Sequence, residues 1–180
     1  FFYIIANLYS AENDFMLSNF YLKISLFLNE RFLSNKLLLG ENYHVQKKYK
    51  DSKRIYESIK KIGKIYSWYG SKQVARIYFA QDKKTKATNY LENEIKKLNN
   101  PSYSNYYDLA NFLKANQEYK KAIEYYSLSL KKIEPNHHLI SDIMENRGGS
   151  YERLGMWNEG ERDLKESLRL LPDQPYVFNY

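Results

Sequence analysis

The sequence predicts an all-α solenoid of about five helical hairpins, on three observations. One set of residue types recurs at fixed offsets five times along the 180 residues. Helix breakers are scarce, with seven Gly and four Pro, which favours long helices and short turns over a many-stranded sheet. Aromatic content is 17%, with 19 Tyr, and tyrosine, large and amphipathic, suits interfaces between helices.

The recurring set is a small residue, then mostly a Tyr three residues on, a second small residue at +12, a large apolar one at +16 and a usually small one at +19. It reads Ala6, Tyr9, Ser18, Leu22, Ser25 in the first unit and Gly40, Tyr43, Ser52, Tyr56, Ile59 in the second. The third is Ala75, Tyr78, Ala87, Leu91, Glu94. The fourth is Ala110, Leu113, Ala122, Tyr126, Ser129, and the fifth Gly148, Tyr151, Gly160, Leu164, Ser167. A small first slot lets two antiparallel helices approach closely. The aromatic one turn later shares its face. The small slot at +12 falls early in a second helix, where it can meet the first.

First helices are expected near 1–11, 34–46, 66–81, 103–115 and 138–154. Second helices are expected near 14–29, 49–62, 84–98, 119–132 and 157–170. Phe15, Tyr49, Tyr119 and Trp157 open four of the second helices and are expected to pack into their hairpins. Lys84 stands there in the third unit, which predicts a looser turn. Pro135 and Pro172 close the fourth and fifth second helices, since Pro cannot continue a helix, and Pro101 marks the break after the third. A longer linker is expected around Asn136–Ile140. The units span 1–32, 33–66, 67–101, 102–136 and 137–174, with no Pro/Gly/Ser-rich linker between them, so residues 1–180 read as one repeat domain. Stacked hairpins contact mainly their neighbours, and a concave groove lined by first helices follows.

The strings YYDLANFLKANQEYKKAIEYYSLSLKKIEP and ENRGGSYERLGMWNEGERDLKESLRLLPDQP resemble the tetratricopeptide repeat, and the pattern covers nearly the whole chain. The resemblance implies a right-handed α-α superhelix that binds proteins and performs no catalysis. Gly160 and Glu94 stand where the family usually has Ala. The C-terminal string RGGSYERLGMWNEGERDLKESLRLLPDQPYVFNY is similar to bacterial, often alphaproteobacterial, multi-repeat proteins. Members commonly carry an export or lipoprotein signal, which implies a periplasmic or envelope location, with the cytoplasm as the alternative. Some relatives are adaptors for periplasmic proteases. In that family PYVFNY would begin another first helix, so the chain reads as part of a longer array.

Groove-facing positions on the first helices are Tyr3, Asn7, Glu41, Lys72, Arg76, Tyr107, Asn111 and Asn146, with Leu37, His44, Phe79, Lys114 and Glu152 beside them. Amide side chains can bond a peptide backbone, aromatics take apolar side chains, and Lys or Arg takes a carboxylate. Some family members clamp a peptide C-terminus with two Lys, two Asn and an Arg. Here Asn111 and Asn146 match the two Asn, but Tyr107 replaces the first Lys and Asp108 breaks the pattern for Lys72 and Arg76.

Net charge is +7. It divides into −1 over residues 1–35, +11 over 36–140 and −3 over 141–180. The basic middle section, densest at Lys47, Lys48, Lys50, Lys53, Arg54, Lys60, Lys61 and Lys64, suggests an acidic protein surface as an alternative partner. Nucleic acid is disfavoured, because Tyr49 and Tyr56, which could stack on bases, occupy packing slots. A self-assembling module, stacking through uncapped ends, is the remaining alternative.

Enzyme signatures are missing. The chain has no Cys, which excludes disulfides and Cys-based zinc sites. It has no HExxH, Walker-type loop or GxSxG. His137 and His138 are adjacent and would diverge on a helix, so they read as linker. Glu145 and Glu152, two turns apart, read as solvated charge or peptide contacts. No metal or cofactor is expected, and the partner is an unidentified protein or peptide. No apolar run approaches the ~18–20 residues of a membrane helix.

Overall fold

The computed structural model describes residues 1–172, and among these every element is helix or turn. The ten helices are α1 (Phe2–Ala11), α2 (Phe15–Leu28), α3 (Leu33–Val45), α4 (Tyr49–Lys60) and α5 (Lys64–Ala80), then α6 (Lys84–Lys96), α7 (Tyr103–Ala115), α8 (Tyr119–Lys132), α9 (Leu139–Arg153) and α10 (Trp157–Leu170). Each lies within two residues of its expected bounds. The segment PYVFNY, expected to begin a further helix, lies outside the described residues. The chain forms two compact units, Phe1–Leu91 and Glu92–Tyr180.

In both units each hairpin closes through the small slots. Ser18 Oγ donates to the Ala6 carbonyl at 2.8 Å, and Ser52 Oγ donates to the Gly40 carbonyl at 2.8 Å. The serines at +12 therefore do more than make room; each satisfies its own hydroxyl on the facing helix. Ala75, Ala110, Ala87 and Ala122 are fully buried. Gly148 and Gly160 meet so closely that a Cβ on Gly160 would lie 3.2 Å from the Gly148 carbonyl oxygen. The slot at +16 is buried in all five hairpins, at Leu22, Tyr56, Leu91, Tyr126 and Leu164.

The turns share one geometry. Asn13, Lys47, Asp82, Gln117 and Gly155 all adopt positive φ, between 57° and 72°. Each lies seven residues after the first small slot. In each the next residue's N–H donates five residues back, as Asp14 to the Tyr9 carbonyl at 2.8 Å and Lys83 to the Tyr78 carbonyl at 3.0 Å. This left-handed cap consumes helix-end carbonyls that would otherwise be orphaned. The third turn, expected to be looser for want of an aromatic, is the same as the rest, because the cap is made by backbone and not by the residue that follows. Trp157 also departs from expectation. It is 64% exposed and does not pack into its hairpin, whereas Phe15, Tyr49 and Tyr119 are half-buried.

Neighbouring hairpins are joined by polar contacts. In the first unit the Asn42 amide donates to Ser18 Oγ at 2.8 Å and Asn19 Oδ1 at 3.0 Å, and its oxygen accepts from Ser10 Oγ at 2.7 Å. In the second unit Arg147 grips Asp163 with two bonds of 2.6 and 2.9 Å and donates a third to Ser127 Oγ at 2.9 Å. Asp163 is 3% exposed, so this ion pair ties α8, α9 and α10 from within. His137 and His138 precede α9 and do not diverge; their rings stack at 4.4 Å. His137 Nδ1 accepts the Leu139 N–H at 3.2 Å, capping the helix.

Candidate binding groove

The slot directly after each first small residue is where the repeat leaves side chains out of its own core. In the first unit it holds Asn7, Glu41 and Arg76. Glu41 and Arg76 are brought together as a fork, with Nη1 to Oε2 at 2.8 Å and Nη2 to Oε1 at 2.7 Å. The guanidinium holds the Glu41 carboxyl below its ordinary value. Arg76 also donates to Gln73 Oε1 at 3.1 Å, and Tyr56 donates from the core to Glu41 Oε2 at 3.3 Å. Here the two charges satisfy each other. Burial pushes the nearby His44 imidazole below its ordinary value. Lys72 is half-buried and Asn7 is exposed. Tyr3 packs against the cluster of Ala6, Leu22, Leu39 and Tyr43, with its ring 5.2 Å from Phe32.

The second unit is different. Tyr107, Asn111, Lys114, Tyr119, Asn146 and Arg153, with Ala115, line an open cleft of about 510 Å³. Four of the expected groove residues, Tyr107, Asn111, Lys114 and Asn146, therefore converge. Tyr126 donates to Asn111 Oδ1 at 2.6 Å from the core, the same reach that Tyr56 makes to Glu41. Asn146 donates to the Asp142 carbonyl at 2.7 Å and accepts from Lys114 Nζ at 2.9 Å. Burial holds the Lys114 ammonium below its ordinary value. Its polar contact is thus a neutral amide and not a carboxylate. Gly149 occupies the slot after Gly148, and a Cβ there would meet only Lys114 Nζ, at 3.8 Å. The absent side chain keeps the cleft open above Lys114. Arg153 and Tyr119 were not in the expected groove set. Arg153 lies five residues beyond Gly148, and its place at the cleft is set by how α9 packs on α7, which spacing alone does not encode.

The packing set behaves as a scaffold for these positions. Ala6, Gly40, Tyr43, Ala75, Tyr78, Ala110, Ala122, Gly148 and Gly160 are buried, and Tyr9 and Tyr151 are half-buried. On the basic helix α4, Lys53 Nζ donates to the Tyr78 hydroxyl at 2.7 Å, Lys60 Nζ to the Tyr90 hydroxyl at 2.8 Å, and Arg54 pairs with Asp51 at 3.1 Å. Part of that charge therefore serves the unit itself. Among the described residues no group of three or more His, Asp or Glu could hold a metal ion, and no helix is long and apolar enough to cross a membrane.

Repeated helical hairpins with buried small slots and a variable groove slot define a helical-repeat protein, and comparison with solved structures gives the repeat its type. The fold is that of tetratricopeptide-repeat proteins. The structure of YrrB, described as a TPR protein with an unusual peptide-binding site, matches 99% of this chain and 89% of its own, with a TM-score of 0.62 and 17% identity. BtubC from P. vanneervenii matches over 94% of this chain and 78% of its own, with a TM-score of 0.68 and 17% identity. MamA matches over 92% and 94%, with a TM-score of 0.62 and 22% identity. In sequence, 79 residues are 35% identical to a UDP-N-acetylglucosamine–peptide N-acetylglucosaminyltransferase of Giardia intestinalis, which is 43% of this chain and 5% of that enzyme. No family model matches the chain.

Proposed function

We propose that the protein is an interaction scaffold whose groove takes an extended peptide segment, anchored by a carboxylate in the cleft of the second unit. The observation that carries this is Lys114, half-buried and desolvated, hydrogen-bonded to a neutral amide, with the Glu145 and Glu152 carboxylates acting on it only through space. A cation held that way gains most from an incoming anion, because the protein has already stripped part of its water. Arg153 stands beside it as a second donor, Asn111 and Asn146 are placed for peptide backbone groups, and Tyr107 and Tyr119 offer apolar faces with polar tips. The first unit is a poorer anchor, since Arg76 already holds Glu41. The peptide-binding site described for YrrB supports this use of the fold.

The test is fluorescence anisotropy with labelled peptides, each in acidic and amide-neutralised form, titrated against the whole chain. Acidic forms should bind, and Lys114→Ala should weaken them by about tenfold, or ~1.4 kcal/mol. Equal binding of acidic and neutralised peptides, or indifference to Lys114→Ala, would refute the carboxylate anchor. Binding by no peptide at all would refute the groove.

A further inference from the structure

Helix α2 carries an outer stripe that the repeat pattern does not account for. Met16 is 79% exposed, Phe20 56% and Phe27 89%, and with exposed Lys23 they form one continuous helical face. The corresponding positions are Lys50, Arg54 and Lys61 in the second hairpin and Asn158, Arg162 and Arg169 in the fifth, all exposed. Both of those hairpins have a preceding hairpin packed on them. Stacking of repeats therefore leaves this face open, and another hairpin before α1 would leave Met16, Phe20 and Phe27 as uncovered as they are now. Solvent slots that hold charged or amide side chains in those two hairpins hold three large apolar side chains here.

We infer that this face of α2 joins two copies of the chain, packed antiparallel through Met16, Phe20, Lys23 and Phe27. The stripe is self-complementary in that direction, as a two-fold interface requires. Met16 falls opposite Phe27 of the second copy, and Phe20 falls opposite Lys23. The ammonium then lies against an aromatic ring, a favourable cation–π arrangement. A parallel pair would set Lys23 against Lys23. A lipid surface fits less well. Residues 1–35 carry net charge −1 with a single Lys on α2, which gives anionic headgroups nothing to attract them. Three side chains burying on the order of 150 Å² each give roughly 900 Å² for the pair, the size of a weak, concentration-dependent association.

Sedimentation velocity on the whole chain, from about 5 to about 500 µM, should show a monomer shifting to a dimer, the range suited to an interface of this size. Phe20→Glu and Phe27→Glu, both at exposed positions and with unchanged circular dichroism, should each weaken the dimer by at least about tenfold. The absence of Cys makes the register directly testable by oxidation. A mixture of Met16→Cys and Phe27→Cys chains should form a mixed disulfide, while neither alone should, because the two positions lie ~16 Å apart along the helix. A monomer throughout, a dimer indifferent to both Glu variants, or self-pairing of a single Cys variant would overturn the inference. So would a monomer that floats with phosphatidylcholine vesicles and loses that with Phe20→Glu.

Discussion

Gly70 and Gly149 offer the same chemical change in two opposite environments. Both lie inside helices, α5 and α9, where replacing Gly by Ala gains about 1 kcal/mol of helix propensity. At Gly149 an added Cβ would meet only a lysine nitrogen at 3.8 Å, an ordinary contact, so nothing opposes the gain. At Gly70 the Cβ would lie 2.5 Å from Lys60 Cγ and 2.8 Å from the Tyr56 carbonyl oxygen. The lysine stem can swing aside. The carbonyl belongs to the α4 backbone and cannot, so α5 must retreat by several tenths of an ångström along a close-packed seam. Overpacking of this kind costs about 1–3 kcal/mol.

The propensity term is common to both variants, so their difference isolates the packing term. Gly149→Ala should stabilise the chain by about 1 kcal/mol, and Gly70→Ala should destabilise it by about 1 kcal/mol after the same gain is included. Urea unfolding followed by circular dichroism, with each variant compared against the parent midpoint, measures both. If the two variants shift the midpoint in the same direction by similar amounts, the contact between α4 and α5 is not set by the missing side chain, and the reasoning from close approach fails.

Two further outcomes follow from local geometry. Lys47 and Gln117 hold left-handed turn positions where Gly155 stands in the fifth hairpin, so Lys47→Gly and Gln117→Gly should each stabilise by roughly 1 kcal/mol. Asn13→Gly should gain less, since Asn tolerates this region, and thermal melts of the three variants would rank them. The Arg76 guanidinium holds the Glu41 carboxyl below its ordinary value, so the pair's contribution is fully present above the ordinary carboxylate range and lost as pH falls through the folded value. With both partners partly exposed it is limited to about 1 kcal/mol. Glu41→Gln should therefore lower the melting temperature near pH 7 and lower it less near pH 3. An equal loss at both pH values would mean the pair acts through packing and not charge.

The fold was legible because its determinants are local and repeated. Ala6, Gly40, Ala75, Ala110 and Gly148 are small for one reason, and five repetitions make the reason visible without coordinates. The left-handed turn residue escaped notice although it too recurs every time. Its identity changes from Asn to Lys, Asp, Gln and Gly, because a non-glycine residue costs only about 1–2 kcal/mol there and the surrounding cap makes up the difference. Arg147 and Asp163 were invisible as a pair. They lie sixteen residues apart on different helices, and nothing in a repeat with polar residues at many positions marks one aspartate as buried.

The slot after each small residue was legible in position and illegible in chemistry, and the reason is physical. The slot after the small residue faces away from the hairpin core, so packing places no demand on it, and it is Asn, Glu, Arg, Asn and Gly in turn. What decides its behaviour is a neighbour on another element. Tyr56 and Tyr126 send their hydroxyls out of the core to Glu41 and Asn111, whereas the hairpins with Leu22, Leu91 and Leu164 have no hydroxyl to send. Glu41 then meets Arg76 from the next hairpin and the charge is cancelled. Lys114 bonds to an asparagine near a glycine, and the Glu145 and Glu152 carboxylates act on it only through space. The slot is thus closed by an ion pair in the first unit, whereas in the second it holds Asn111 and Gly149, and the nearby cation, Lys114, lies one turn beyond Asn111. That asymmetry, more than the count of cations, is why we propose the anchor in the second unit although the densest basic stretch belongs to α4 in the first.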